Sequence, residues 1–319
     1  KTITHGGRTA LLRIQKETEK LGYEVIYGHT DSIFVKLGDD KSIEECAETA
    51  QELGRVLTKI CQEEVQSDAL VVEPELIMDR FYLPRRNKYA GRIVWQPGTG
   101  STPFDISTKP VDARIKMQGL AAKATNTANI GKTVQLDSIK MIWDDADPLD
   151  VLAHLQSLID DVRSGKTPVE DLVARASLGQ WLPPNSENRH YNAGATNKSA
   201  RPDARDESDK CYSNLSGDKK GAAWHNIVLA NDSFAKLDKG DSYNFIFVKD
   251  GPTWIPEGGY AAFHDLSQIK DYTIDIDTII EKNIISKLDH ILSGIGLSND
   301  MLREAGKYEG RQLTLEDFQ

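Results

Sequence analysis

Two strand-like runs, residues 23–27 and 32–37, flank the polar stretch Gly28-His29-Thr30-Asp31. That pattern leaves this part of the chain little choice but a β-hairpin with Asp31 at its tip. Ile33, Val35 and Leu37 alternate with Ser32, Phe34 and Lys36, which gives the second strand one apolar face and fixes its register. A carboxylate held at a rigid strand end suits magnesium-dependent phosphoryl transfer, because a small hard cation demands near-ideal oxygen geometry. An aspartate here can also serve simply to stabilise the turn.

The elements around this hairpin follow from periodicity. Residues 3–20 read as a helix closed by Gly22 and lead straight into the first strand. Ser42 and Glu45 have capping-box spacing, and Ile43, Cys46, Ala50, Leu53, Leu57 and Ile60 recur at steps of three and four, the pattern of a long amphipathic helix. The apolar run 70–83 and residues 89–95 form a second hairpin. Helix, hairpin, helix, hairpin predicts an α+β layer with helices on one face of an antiparallel sheet. Such a sheet has an open edge, so a partner chain or a preceding segment is expected to cover it.

Beyond Leu120 the pattern turns helical, with helices expected over 130–143, 148–164 and 169–178 and again over 276–292, and one strand over 243–248. Residues 183–220, rich in Asn, Ser, Asp, Lys and Gly, read as a flexible insertion. The organisation predicted is therefore 1–120, then 121–300 with the insertion 183–220, then a tail over 301–319.

Charge is distributed unevenly. Between Arg80 and Lys140 eleven basic residues face three acids, a local charge of +8 within a chain of −10. A basic stretch of 61 residues without a glutamate is the footprint of a polyanion-binding surface, although each lysine alone could be solvated. Cys46, Cys61 and Cys211 form no Cys-x-x-Cys pair, so neither a disulfide framework nor a zinc module is indicated. No 18-residue apolar run or signal-like segment is present, and the expectation is a soluble cytoplasmic protein with no membrane association. Because the chain starts at Lys1 and not at a methionine, it is expected to be a portion of something longer.

The hexapeptide Tyr27, Gly28, His29, Thr30, Asp31, Ser32 resembles the Tyr-Gly-Asp-Thr-Asp-Ser motif of family B DNA polymerases. Asp31 matches the aspartate that binds the catalytic metals, and His29 stands where the family has its first aspartate. Glu73-Pro74-Glu75, followed fourteen residues later by Tyr89 in Arg86-Asn87-Lys88-Tyr89-Ala90-Gly91, is similar to the family's Glu-Leu-Glu and Lys-Lys-Arg-Tyr-Ala-Gly elements. The resemblance implies a metal-proximal role for Glu75. It also implies primer contacts for Arg86, Lys88 and Tyr89 and for the neighbouring Arg85. Asn87, in the middle-lysine position, keeps an amide able to donate in the minor groove. Lys116 and Lys123 join that DNA-binding set. Gly119-Leu120-Ala121-Ala122 and the later Gly240-Asp241 and Ile276-Asp277 blocks resemble the family's thumb, with Lys123 nearest to the position of a missing arginine. Gln312, Leu315 and Phe318 resemble the clamp-binding tail of archaeal polymerases, a polar plug and two apolar anchors.

Two family blocks, Asp-x-x-Ser-Leu-Tyr-Pro with the other catalytic aspartate and Lys-x3-Asn-Ser-x-Tyr-Gly with the nucleotide-binding lysine, do not occur in this sequence. The resemblance thus implies the C-terminal part of a polymerase for DNA replication or repair: a partial palm, a mainly helical thumb and a clamp-binding tail. Two Mg2+ ions, a dNTP substrate, primer-template DNA, a sliding clamp and an N-terminal polymerase part would be its cofactors and partners. The alternative is a non-catalytic DNA-binding, clamp-docking subunit in which His29 marks lost chemistry.

Overall fold

A computed structural model describes residues 2–29, 31–65, 68–97, 114–179, 217–230, 235–256 and 258–304. Thr30, Cys211, most of the expected insertion and the tail residues Gln312, Leu315 and Phe318 lie outside them. The chain divides into two compact units, Lys1–Gln118 and Gly119–Gln319, and the architecture is α+β.

In the first unit, helix α1 (Thr2–Lys20) ends at Gly22, whose φ of 91° is the left-handed cap that glycine accepts without strain. Strands β1 (Glu24–His29) and β2 (Ser32–Lys36) then form the expected antiparallel hairpin, with a bulge between Val25 and Tyr27. The capping box forms as its spacing predicts: Glu45 N–H donates to Ser42 Oγ at 3.1 Å and Ser42 N–H to Glu45 Oε2 at 2.8 Å. Behind it runs helix α2 (Ile43–Val65), which buries Cys46, Ala47, Leu53, Leu57 and Cys61 on one face.

The extended segment after α2 is fastened to that helix by side chains four residues apart. Gly54 gives it room, since a Cβ there would meet Val72 O at 2.9 Å. Thr58 Oγ1 bonds both N and O of Val72, and Gln62 Nε2 donates to the carbonyls of Asp68 and Leu70. The second hairpin, β3 (Ile77–Arg85) and β4 (Lys88–Trp95), gains a third strand, β5 (Ile115–Gln118), that sequence periodicity did not reveal. Pro84 sits in β3, at the sheet edge, where a missing N–H costs least.

In the second unit α3 (Asn129–Trp143) and α4 (Pro148–Arg163) occupy their expected places. The helix expected over 169–178 stops after one turn, α5 (Val169–Leu172): Val173 is extended and β6 (Ala174–Ser177) follows. Helix α6 (Gly217–Val228) starts inside the expected insertion, so residues 217–220 are helical. The strands of this unit form more sheet than a mainly helical pattern suggests. Strand β7 (Ser242–Asp250) pairs with β6, β8 (Tyr260–Phe263) and β9 (Thr273–Ile274), all antiparallel.

The expected last amphipathic helix is three pieces: α7 (Ile276–Ile279), a π turn (Ile280–Ile285) and α8 (Ser286–Gly294). A further helix, α9 (Asn299–Glu304), is held by Arg303, which forks onto Glu281 and also bonds Asp300. Among the described residues no helix is long and apolar enough to cross a membrane.

Candidate active site and nucleic-acid interface

Asp31 stands where the hairpin turns. Its backbone N–H donates to His29 O at 2.6 Å, and its carboxylate accepts the Ser32 hydroxyl at 3.0 Å while the residue stays exposed. The first bond fixes the backbone and the second fixes one carboxylate oxygen. His29 pairs with Ser32 across the hairpin, its ring 6.3 Å from that of Tyr27.

Tyr27 joins this hairpin to the next. Its hydroxyl donates to Asn87 Oδ1 at 2.6 Å and accepts the Asn87 N–H at 2.9 Å. Beneath that link the rings of Tyr27, Phe34, Phe81 and Tyr89 pack together, with Phe34 stacked on Phe81 at 5.1 Å and edge-on to Tyr89 at 5.1 Å. Aromatic pairs at such distances add to what burial alone provides. The expectation that Phe34 lies on the polar side of β2 is therefore corrected: Phe34 turns into the aromatic joint. Phe34 keeps its place in the alternation of β2, but that face is covered by the second hairpin's rings, and the bulge in β1 sets Tyr27 directly opposite it while Val35 lies opposite Val25.

Asn87 occupies the turn between β3 and β4 with φ of 62°. Asparagine tolerates this left-handed backbone where most side chains do not. Arg85 and Arg86 are exposed beside it and Lys88 is half-buried. Tyr89, in contrast, is only 4% exposed, and burial pushes its phenol upward in pKa. Its ring supports the joint more than it faces solvent. Gly91 is required by packing, because a Cβ there would overlap Met78 Sδ.

Glu75 does not stand free. It receives Lys116 Nζ at 2.6 Å, with the glutamate side chain 67% exposed and the lysine 26%. Arg92 is likewise engaged, forking onto Asp79. Lys123, in the second unit, is exposed on a short 3-10 turn. The structure thus brings together Tyr27, Asn87 and Tyr89, and separately Glu75 and Lys116. What sequence reasoning missed is the joint, Phe34 and Phe81, whose meeting depends on a bulge and on two hairpins packing, neither of which leaves a local signal.

Asp31 and Glu75 are hard oxygen donors of the kind Mg2+ takes. Among the described residues, however, no group of three His, Cys, Asp or Glu side chains is placed to hold a metal ion. The donors present fit such an ion only as part of a larger ligand set.

Comparison with known proteins decides the family. A model described as DNA polymerase family B matches residues 1–196, more than half of the chain. The chain belongs to DNA polymerase family B.

Two archaeal members are similar to it: "DNA polymerase 2" of Aeropyrum pernix, 20% identical over 317 residues, and "DNA polymerase" of Archaeoglobus fulgidus, 23% identical over 175. The first alignment covers 99% of this chain and 30% of that protein, the second 55% and 19%. A catalytic subunit of DNA polymerase alpha from Saccharomyces cerevisiae is 22% identical over half of this chain and a tenth of its own length. The family B polymerase of Pyrobaculum calidifontis has a similar fold, with a TM-score of 0.50 at 20% identity over 91% of this chain and 29% of that one. This family B chain thus spans less than a third of the length of these relatives.

Proposed function

We propose that this chain is the C-terminal part of a family B DNA-directed DNA polymerase, combining the later palm with a thumb and a clamp-binding tail. In this reading it supplies one metal-binding aspartate and part of the grip on primer-template DNA. The observation that carries it is Asp31: an exposed carboxylate fixed at a hairpin tip, inside a matched family region. Asp31 would hold Mg2+, with Glu75 nearby in function, and the ion when bound would neutralise the phosphates of an incoming dNTP.

The work of the other residues is positional. Tyr27 and the aromatic joint keep the hairpin tip in register with the Asn87 turn, so Arg85, Arg86 and Lys88 are presented at a fixed distance along the same unit. Those cations would hold backbone phosphates, which gives salt-sensitive affinity without sequence preference. Asn87 adds an amide that can donate to minor-groove acceptors. The second aspartate and the nucleotide-binding lysine belong to an N-terminal part, and without it the chain binds primed DNA and does not extend it. Gln312, Leu315 and Phe318 would dock on a sliding clamp.

The test is primer extension with Mg2+ and dNTPs after mixing this chain with a polymerase segment that carries the two missing blocks. Extension should appear only in the mixture, and Asp31→Ala should abolish it while leaving the melting temperature unchanged. Extension by the unmixed chain, or activity surviving D31A, overturns the reading. A large gain on His29→Asp would favour the non-catalytic alternative, because a neutral imidazole cannot supply the charge of the aspartate it replaces.

A further inference from the structure

Arg114, immediately before β5, is 8% exposed, its Nε is sealed from solvent, and neither that nitrogen nor the rest of the guanidinium has a hydrogen-bond or ion-pair partner among the described residues. Arginine keeps its charge at any physiological pH, and a charge buried without a partner is strongly unfavourable unless an anion completes it. Two neighbouring cations of this sheet are already satisfied: Arg92 by Asp79 and Lys116 by Glu75.

Two features narrow the anion's identity. Lys116 comes two residues later, inside β5, so a second cation follows Arg114 closely along the chain. Both belong to the stretch that carries +8, and a polyanion is what that charge selects. The small open fraction of Arg114 admits a single compact oxyanion and no broad surface. A planar guanidinium fork matches phosphate geometry with two parallel hydrogen bonds.

We propose that Arg114 and Lys116 form a phosphate site that takes one backbone phosphate of the bound nucleic acid, an inference that rests on the polymerase reading above. Arg114 supplies the fork. Lys116 is shared between Glu75 and the phosphate, so the ion pair is the resting arrangement and the phosphate contact the loaded one.

Anisotropy of a labelled primer-template duplex, titrated with the full chain over a salt series, tests this with Arg114→Met. R114M should weaken binding about tenfold and reduce the salt slope by about 0.9, the contribution of one phosphate. In thermal melts inorganic phosphate should raise the Tm of the unsubstituted chain and not that of R114M. The free R114M chain should melt no lower than the parent, since an apolar side chain of similar volume replaces an unpaired charge.

Should R114M not fold, the Nε–H resonance of Arg114 in the unsubstituted chain carries the same test: it shifts on adding duplex, and constancy overturns the site. Tight duplex binding with affinity and slope untouched by R114M overturns the site and leaves the polymerase reading standing. Stabilisation by phosphate through Arg114 without any duplex binding overturns both. Weakened association with an N-terminal part, with DNA binding intact, would assign the guanidinium to a carboxylate on that protein and overturn the phosphate.

Discussion

The hydroxyl of Tyr27 is bound twice by one residue sixty positions away, giving its proton to Asn87 Oδ1 at 2.6 Å and accepting the Asn87 N–H at 2.9 Å. One side chain of the β1–β2 hairpin thereby sets the turn of the β3–β4 hairpin. Tyr27→Phe removes both bonds and keeps the ring in the aromatic joint. The expected loss is about 1 kcal/mol in urea unfolding, small because the link is exposed to water. The larger effect should fall on primer binding, and a Tyr27→Phe chain that binds duplex as tightly as the parent would refute the coupling.

Asn87→Lys supplies the charge that the resemblance to the family's basic element implies at this position. It should steepen the salt dependence of duplex binding by about 0.9, one phosphate contact. The same change forces a lysine to φ of 62° and costs about 1–2 kcal/mol of stability. Affinity and stability should therefore move in opposite directions, which anisotropy and urea unfolding measure on the same sample.

Helix α3 approaches the π turn at Gly131, where a Cβ would lie 2.4 Å from Asn283 O and 2.9 Å from Thr127 Cγ2. Gly131→Ala should destabilise the second unit by about 1–3 kcal/mol, the range for overpacking a core contact. Gly6, inside α1 with nothing within 4 Å of its Cβ position, is the control. Gly6→Ala should stabilise by about 0.5–1 kcal/mol through helix propensity alone.

His225 is fully buried, with Nδ1 3.1 Å from Ala262 O and Nε2 3.1 Å from Ala235 O, and the ring of His264 crosses it at 5.0 Å. Burial holds its pKa below the ordinary 6.5, outweighing the two carbonyls that favour the imidazolium. A group depressed in the folded state binds its proton more readily when unfolded. Its contribution is thus present above pH 6.5 and is lost as pH falls below that value. The unfolding midpoint should drop as pH falls below 6.5, and His225→Gln should flatten that part of the profile.

Much of the first unit can be read locally because its signals are local. Ser42 and Glu45 announce α2 within four residues, and the polar tip between two apolar runs announces β1 and β2. Strands β5, β6, β8 and β9 are different: they hold four, four, four and two residues, too few for alternation to stand out. Ala174 and Ala176 favour a helix by propensity, yet β7 pairs with them and turns them inward, with Arg175 and Ser177 outward. At the candidate site, Asp31 was legible from its motif and its place in a hairpin. The aromatic joint and Arg114, which has no partner among the described residues, were not, since both depend on which distant side chains arrive nearby.

The pair between Glu75 and Lys116 sets the terms on which a divalent cation could be received. At 2.6 Å an ammonium already sits on the carboxylate, so loading at Glu75 would be an exchange of one cation for another and not the filling of a vacant anion. Raising monovalent salt loosens the resident partner as well as the newcomer. Occupancy at this glutamate should accordingly change less steeply with ionic strength than at the carboxylate of Asp31, whose described partner is a neutral hydroxyl.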